Sequence, residues 1–477
     1  MSRLVIVSNR VADPHDTAPG GLAVALEEAL QRHGGLWFGW SGAVTDSDTP
    51  QMHCEQWHDV TRVTTELRRQ DHDSHYAGYC NNMLWPVFHN RLDLAAFDAS
   101  YWDGYRRVNQ QFARQLLPLL QEDDVVWVHD YHLIGLAAEL RALGCRQRIG
   151  FFLHIPFPPP VIFMAMPQHE ALMQSLMTYD LVGLQSKQDL RHFSSYVVDQ
   201  ARGQARPGGH FQAFGKRTRC ESFPIGIDAQ AFASLTTTSE ALQVHATMQR
   251  EYSQRRLVLG IDRLDYSKGL PERICAFRDL LARHPQHRRS ATLVQIGSPT
   301  RESVQAYAEI RARLETLCGA INGDFGELDW MPVRYIHQVL TRAHLAGLCR
   351  AAAVGLVTPL RDGMNLVAKE FVAAQDPDDP GVLVLSRFAG AAEQLHEALL
   401  VNPYDIHTTA NTIDQALQMP LDERLDRHRR LLARIQAQDV HWWCKRFLAA
   451  LARPTTFGMP PPARYAFERH STAVSRH

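Results

Sequence analysis

The chain predicts an α/β protein with two doubly wound, Rossmann-like domains. Three observations carry that reading. Short Val/Ile/Leu runs alternate with amphipathic helical stretches, as in parallel sheets covered on both faces. The runs fall into two series. The chain has 477 residues, more than one core ordinarily organises.

The first series opens with Leu4-Val5-Ile6-Val7, followed by a loop and a helix over Leu22–Arg32. Val125–Val128 reads as a strand and Leu133–Leu143 as a helix. Ile149–Leu153, Asp180–Leu184 and Cys220–Pro224 are further strands. The second series begins at Leu257-Val258-Leu259 and continues through Thr292–Gln295, Val354–Val357 and Val382–Leu385. Helices are expected over Leu270–Arg283 and Arg301–Leu317. Polar Ser234–Glu240 reads as a linker, within a joint near residues 228–250. Ala201–Arg219 reads as a surface loop. From Arg453 the Pro- and Arg-rich tail is expected to be loosely ordered.

Lys plus Arg is 50 and Asp plus Glu is 51. That balance gives no support for nucleic acid or a polybasic membrane contact as partner. Met1-Ser2-Arg3 runs into a strand without a signal-peptide layout, and no apolar run is long enough to span a bilayer. The 8 cysteines are scattered singly and read as buried free thiols of a cytoplasmic protein. The 24 histidines include no HExxH or Cys/His cluster, so no metal site is expected. Asp46-Ser47-Asp48 and Asp71-His72-Asp73 read as solvated loops. The absence of GxGxxG speaks against a nicotinamide enzyme, and no cofactor is expected.

The most informative segment is Arg361–Glu370, RDGMNLVAKE. It follows a strand and opens a helix at Leu366, so free backbone N–H groups and the positive end of a helix dipole meet there. That suits a diphosphate. Gly363 lets the backbone come close to a ligand, and Glu370, one turn in, can accept from hydroxyls. In open α/β sheets ligands bind beyond the carboxyl ends of strands. Arg10, ending the first strand, is placed there as an anion clamp or as an ordinary loop arginine. Gly20 and Gly21, opening the first helix, can approach a ligand. Arg263 and Lys268 flank the end of one strand and the start of a helix, where two cations can neutralise a leaving diphosphate. His154, at a strand end, is either a hydrogen-bonded structural residue or a catalytic one.

The segments SNR, GGL, LWFGWSG, LWPVFH, VWVHDYHL, GFFLHIPFPPP, FPIGID, RLDYSKGLPER, VGLVTPLRDGMNLVAKEFVAAQDP and GVLVLSRFAG run in order from residue 8 to about residue 390. Together they resemble the retaining glycosyltransferases of the GT-B fold, and among them the α,α-trehalose-6-phosphate synthase family, glycosyltransferase family 20. The resemblance implies an active site in the cleft between the domains. It implies transfer of glucose from UDP-glucose to glucose 6-phosphate. Residues 1–234 would be the acceptor domain and 235–440 the donor domain. Residues 441–477 would form a helix returning to the first domain and a tail, and a homo-oligomer, dimer or tetramer, is expected.

Residue by residue, the resemblance implies that Arg10 and Arg301 grip the phosphate of glucose 6-phosphate. Trp40, Tyr76 and Trp85 would shape the acceptor pocket, and Asp130 would hold acceptor hydroxyls. Gly20, Gly21, Arg263 and Lys268 would take the donor. So would the backbone from Gly363 and Met364 through Asn365, Leu366, Val367, Ala368 and Lys369. Asp362 would contact the donor glucose and Glu370 the ribose. His154 would sit beside the donor sugar, with Trp85 and Ile155 shaping the anomeric site. Leu340 stands where the family has an aromatic nucleotide contact. Two alternatives stay open: a relative with another donor (GDP or ADP) or another acceptor, such as a cyclitol or glycerol phosphate, and a silent sugar-phosphate sensor.

Overall fold

The computed structural model describes residues 3–11, 26, 30, 34–300 and 305–453. The expected helix over 22–32 lies outside them apart from Leu26 and Leu30, as do Gly20, Gly21, Arg301 and the tail from 454.

Two sheets organise the described residues. The first comprises β1 (Leu4–Arg10), β2 (Gly35–Thr45), β3 (Met52–Trp57), β4 (Val60–Arg68), β5 (Val125–His129), β6 (Arg148–Phe152), β7 (Leu181–Leu184), β8 (Gln204–Arg206), β9 (His210–Ala213) and β10 (Lys216–Ser222). Their order is β3-β4-β2-β1-β5-β6-β7-β10-β9-β8. The second comprises β11 (Arg256–Arg263), β12 (Ala291–Ser298), β13 (Val333–Ile336), β14 (Val354–Val357), β15 (Val382–Ser386) and β16 (Leu399–Val401). It is parallel throughout, in the order β13-β12-β11-β14-β15-β16. In chain order that is 3-2-1-4-5-6, the doubly wound arrangement whose direction reverses beside its first strand. The reversals fall between β1 and β5 in one sheet and between β11 and β14 in the other.

The central strands are apolar because helices cover both faces. Val5, Ile6 and Val7 of β1, and Val354 and Leu356 of β14, are fully buried. Four helices matter for the site: α1 (Lys187–Ser195), α2 (Leu270–Arg283), α3 (Leu366–Ala374) and α4 (Val440–Ala452).

Helix α4 returns to the first sheet. Phe447 stacks on Trp127 at 4.5 Å between ring centroids, and Trp443 meets it tilted at 4.8 Å. Gly150 and Gly183 give the helix room, since a Cβ on either would come within 2.8 Å of Phe447. The carbonyls at the helix end are taken by first-sheet arginines: Arg148 donates to Leu451 and Arg453, and Arg219 to Ala450. The outgoing and returning chains touch where they cross, the Val440 amide donating to the Ile227 carbonyl at 3.3 Å.

The structure corrects three expectations. Ala201–Arg219 is not a bare loop but adds β8, β9 and much of β10 at the sheet edge, turning at Gly208-Gly209 and Phe214-Gly215. Asp71 is not solvated: it is 1% exposed, takes Arg68 and Arg107, and precedes a π-helical segment, His72–Leu84. The thiols are all free, yet Cys54 is exposed and Cys275 only half-buried.

Candidate active site

The carboxyl ends of the two sheets face each other, and the predicted residues collect on both sides of the gap. Arg10 ends β1 in register with Trp40 of β2. Its guanidinium lies over Gly42, within 3 Å of where a Cβ would stand, and it makes no ion pair with a described residue. Trp40 meets Tyr76 and His72 at 5.3 and 5.7 Å, and Tyr76 stacks on His132 at 6.0 Å. The π-helical segment supplies His72 and Tyr76, a backbone form that recurs at functional sites. An exposed cation beside aromatic faces suits a phosphorylated sugar.

Asp130 follows β5 with φ +75°, a strained conformation for a residue with a side chain. Its carboxylate accepts the His154 amide at 3.1 Å, which ties the end of β5 to the end of β6. His154 Nε2 shares a hydrogen bond with Nδ1 of the fully buried His129 at 3.1 Å. Burial lowers His154 to about 3, so at neutral pH it offers an uncharged imidazole.

On the opposite side, Lys268 follows β11 and Asp362 follows β14, the two strands that flank the reversal. Lys268 Nζ donates to Asp362 Oδ2 at 2.5 Å, and Asn365 donates to the same oxygen at 3.1 Å. Burial works to raise the Asp362 carboxyl, but Lys268 outweighs it and holds the group below the usual carboxylate range. Asn365, at φ +77°, caps α3 by accepting the Ala368 amide. Leu366 and Val367 precede that bond, and their amides open the helix without a side-chain cap. Glu370 sits one turn further in; burial raises its carboxyl, opposed by Arg342.

The two sides touch. The Arg263 guanidinium lies 5.7 Å from the Trp85 ring centroid, and Arg91 reaches over Tyr266 at 5.5 Å. Gly363 packs on the backbone of His154 and Ile155, so tightly that a Cβ would collide with the His154 carbonyl. The expected reason for this glycine was approach to a ligand; the described contact is with the other half of the chain. The Lys369 side chain takes no part in the cleft, where only its backbone was expected. It is 1% exposed and its ammonium donates to Ile225 O at 2.6 Å and Gln394 Oε1 at 2.7 Å, away from the cleft. Leu340 is half-buried against apolar neighbours, and Ile155 and Met364 are buried. Sequence reasoning passed over His129, Asp189 and Arg361. Arg361 lay inside a quoted motif, whereas Asp189 shows no signal beyond a capping pattern at the start of α1.

No group of three or more His, Cys, Asp or Glu among the described residues could hold a metal ion. No described helix is long and apolar enough to cross a membrane.

Two facing doubly wound domains with a nucleotide-type switch point on one side are the GT-B architecture of sugar-transferring enzymes. The chain belongs to glycosyltransferase family 20, whose profile matches residues 6–453. A protein of Enterobacter sp. (strain 638) called trehalose-6-phosphate synthase is 48% identical over 457 residues, 95% of this chain and 96% of that one. A structure from Burkholderia xenovorans, an alpha,alpha-trehalose-phosphate synthase (UDP-forming) in complex with glucose-6-phosphate, superposes with TM-score 0.92 at 50% identity. It covers 94% of this chain and 100% of its own. An E. coli structure described as trehalose-6-phosphate bound with UDP-2-fluoro glucose gives 0.91 at 47%, covering 94% and 99%.

Proposed function

We propose that this chain transfers glucose from UDP-glucose to glucose 6-phosphate, releasing UDP and forming α,α-trehalose 6-phosphate with retention at the anomeric carbon. The observation that carries this is the pairing of the two switch points: Arg10 with its aromatic neighbours faces Lys268, Asp362 and the open start of α3, in a chain that matches UDP-forming synthases along nearly its whole length.

In this reading Arg10 and Arg301 hold the acceptor phosphate, and Trp40, Tyr76 and Trp85 cover the sugar. Arg263, Lys268 and the amides of Leu366 and Val367 take the diphosphate, whose charge grows as the glycosidic bond breaks. Gly20 and Gly21 stand beside the donor. Asp362, kept ionised by Lys268, accepts from donor hydroxyls, and Glu370 accepts from the ribose. Neutral His154 keeps one ring N–H and can share a hydrogen bond with the donor sugar, but it is not an imidazolium that could act as a general acid. A carboxylate nucleophile beneath the anomeric carbon would be needed for a two-step retaining route; Asp362 is already engaged with Lys268 and Asn365. The resemblance to retaining GT-B enzymes suggests front-face attack instead, with the departing phosphate taking the acceptor's proton. Closure of the two halves excludes water from a hydrolysable donor. The domain limits at 234 and 440, a cytoplasmic location and a homo-oligomer belong to the same proposal.

The test is UDP release, coupled to a detection enzyme, with UDP-, GDP- and ADP-glucose offered alongside glucose 6-phosphate. UDP release that depends on glucose 6-phosphate is the expected result. Activity only with GDP- or ADP-glucose would reassign the donor, and no release from any would leave a sugar-phosphate sensor.

A further inference from the structure

Asp189 is 2% exposed and stands in the first turn of α1. Its Oδ2 closes a capping box with Ser186, accepting the amide at 3.2 Å and the hydroxyl at 2.6 Å. Its Oδ1 accepts the amide of Phe157, three residues beyond His154, at 3.0 Å. The same oxygen meets Arg361 Nη2 at 3.3 Å, from a position 172 residues away in the chain. Arg361 immediately precedes Asp362, and Gly363 immediately follows it against the His154 carbonyl.

The segment that carries Asp362 is therefore held directly by His154 on one side and, on the other, by Asp189, which is itself bonded to the His154 segment at Phe157. A second bridge joins the same two halves: Glu393, from the second half, accepts the amides of Lys187 and Gln188 at the start of α1, at 2.8 and 3.1 Å. The Arg361 side chain is 13% exposed and its Nε has no hydrogen-bond partner among the described residues. A buried ion pair of this kind contributes little net stability compared with an apolar substitute. Stability alone therefore gives no reason to put one between two loops that face the reacting groups.

We propose that the Asp189–Arg361 pair is a positioning device for the transfer reaction, setting the Asp362 loop at a fixed distance from the His154 loop across the cleft. This rests on the functional reading above. Arg361 touches neither sugar in that reading; it acts through Asp362 on one side and, by way of Asp189 and Phe157, through His154 on the other. Arg361→Gln removes the charge without disturbing the cap of α1. Asp189→Asn keeps the shape and one acceptor oxygen. Arg361→Lys keeps the charge and loses the guanidinium fork.

Steady-state UDP release, UDP titration by calorimetry and thermal melting on the full chain decide it. Misplacement of reacting groups by about an ångström costs up to about a hundredfold in rate. Arg361→Gln should lower kcat, read well below the melting transition, by about ten- to a hundredfold on that scale while UDP affinity stays near wild type; the melting temperature should fall as well, because Asp189 is left buried without its cation. Arg361→Lys should recover part of the loss. The double variant Asp189→Asn, Arg361→Gln should be no slower than the slower single variant. Wild-type kcat in Arg361→Gln would overturn the proposal, as would losses that multiply in the double variant or that follow melting temperature alone. A wild-type chain that releases no UDP would instead overturn the functional reading, and the pair's role with it.

Discussion

Arg10 and Lys268 carry the same charge in opposite settings. Arg10 is exposed over Gly42, whereas Lys268 is 8% exposed and fastened to Asp362. Removing a charge-assisted phosphate contact costs about 1.5–3 kcal/mol, roughly ten- to a hundredfold in affinity. Arg10→Ala should weaken glucose 6-phosphate binding by that factor and leave UDP binding near wild type. Lys268→Ala should weaken UDP and lower kcat. It should also destabilise the fold by roughly 3 kcal/mol, because a buried carboxylate is left with Asn365 alone. Calorimetry with each ligand and urea melts separate these outcomes. Lys369 allows a pH test. Burial lowers its pKa from 10.5 to about 7. The unfolded chain thus keeps a proton that the folded chain sheds between those values. The folded state is penalised in full below the lower value and relieved as pH rises toward the upper one. Relative to Lys369→Met, the wild type should gain stability between roughly pH 7 and pH 9 in urea melts; a constant difference would contradict the assignment. Arg10, Lys268 and Asp362 were legible because each follows an apolar strand run and so lands at a sheet's carboxyl end. Asp189 was not, because its partner is distant in the chain and a capping pattern explains it locally.

Among the elements, α2 was legible to the residue: Leu270–Arg283 shows apolar positions at helical spacing after a left-handed Gly269. The neighbours of β1 were not. β2 contains three glycines among its aromatics, β3 is an almost wholly exposed edge strand, and β4 alternates buried with half-exposed positions. None of these resembles the continuous apolar run of a central parallel strand. Nor does any local pattern announce the π-helical segment that aims Tyr76 at His132. Where an element was seen, its partners often were not, and Gly363 is the case in point. Gly363→Ala should push the α3 entry loop off His154, and kcat should fall by at least about tenfold. The check is kcat beside a circular dichroism melt; wild-type turnover would mean that this contact does not set the geometry.

At the scale of the molecule, the two strand series visible in the sequence became two sheets, and the cleft between them follows from the strand order. What no strand pattern conveys is how the halves are tied, because that depends on pairs such as Arg361 with Asp189 and Glu393 with the α1 amides. The return helix was anticipated from the resemblance, and its packing explains its worth. Phe447→Ala should cost about 3–5 kcal/mol in a urea melt, as truncations of buried aromatics do. A chain ending at Arg453 should turn over at nearly the full rate, whereas one ending before Val440 should unfold or lose activity. Loss of most activity in a folded chain ending at Arg453 would give the tail a role.

The bond between the Val440 amide and the Ile227 carbonyl marks a joint with two threads, not one. A single connecting strand lets one lobe swivel about any axis, so that opening could scatter the opposed groups in many directions. Two strands laid side by side act as paired pins, and the permitted motion is rotation about the line that joins them. Were the Arg361–Asp189 and Glu393 bridges to part, the lobes would open as the covers of a book do. Any closure about that axis would bring Lys268 and Asp362 back opposite Arg10 and Asp130 along one path. A nick in either thread alone would leave both covers on the spine but free to twist.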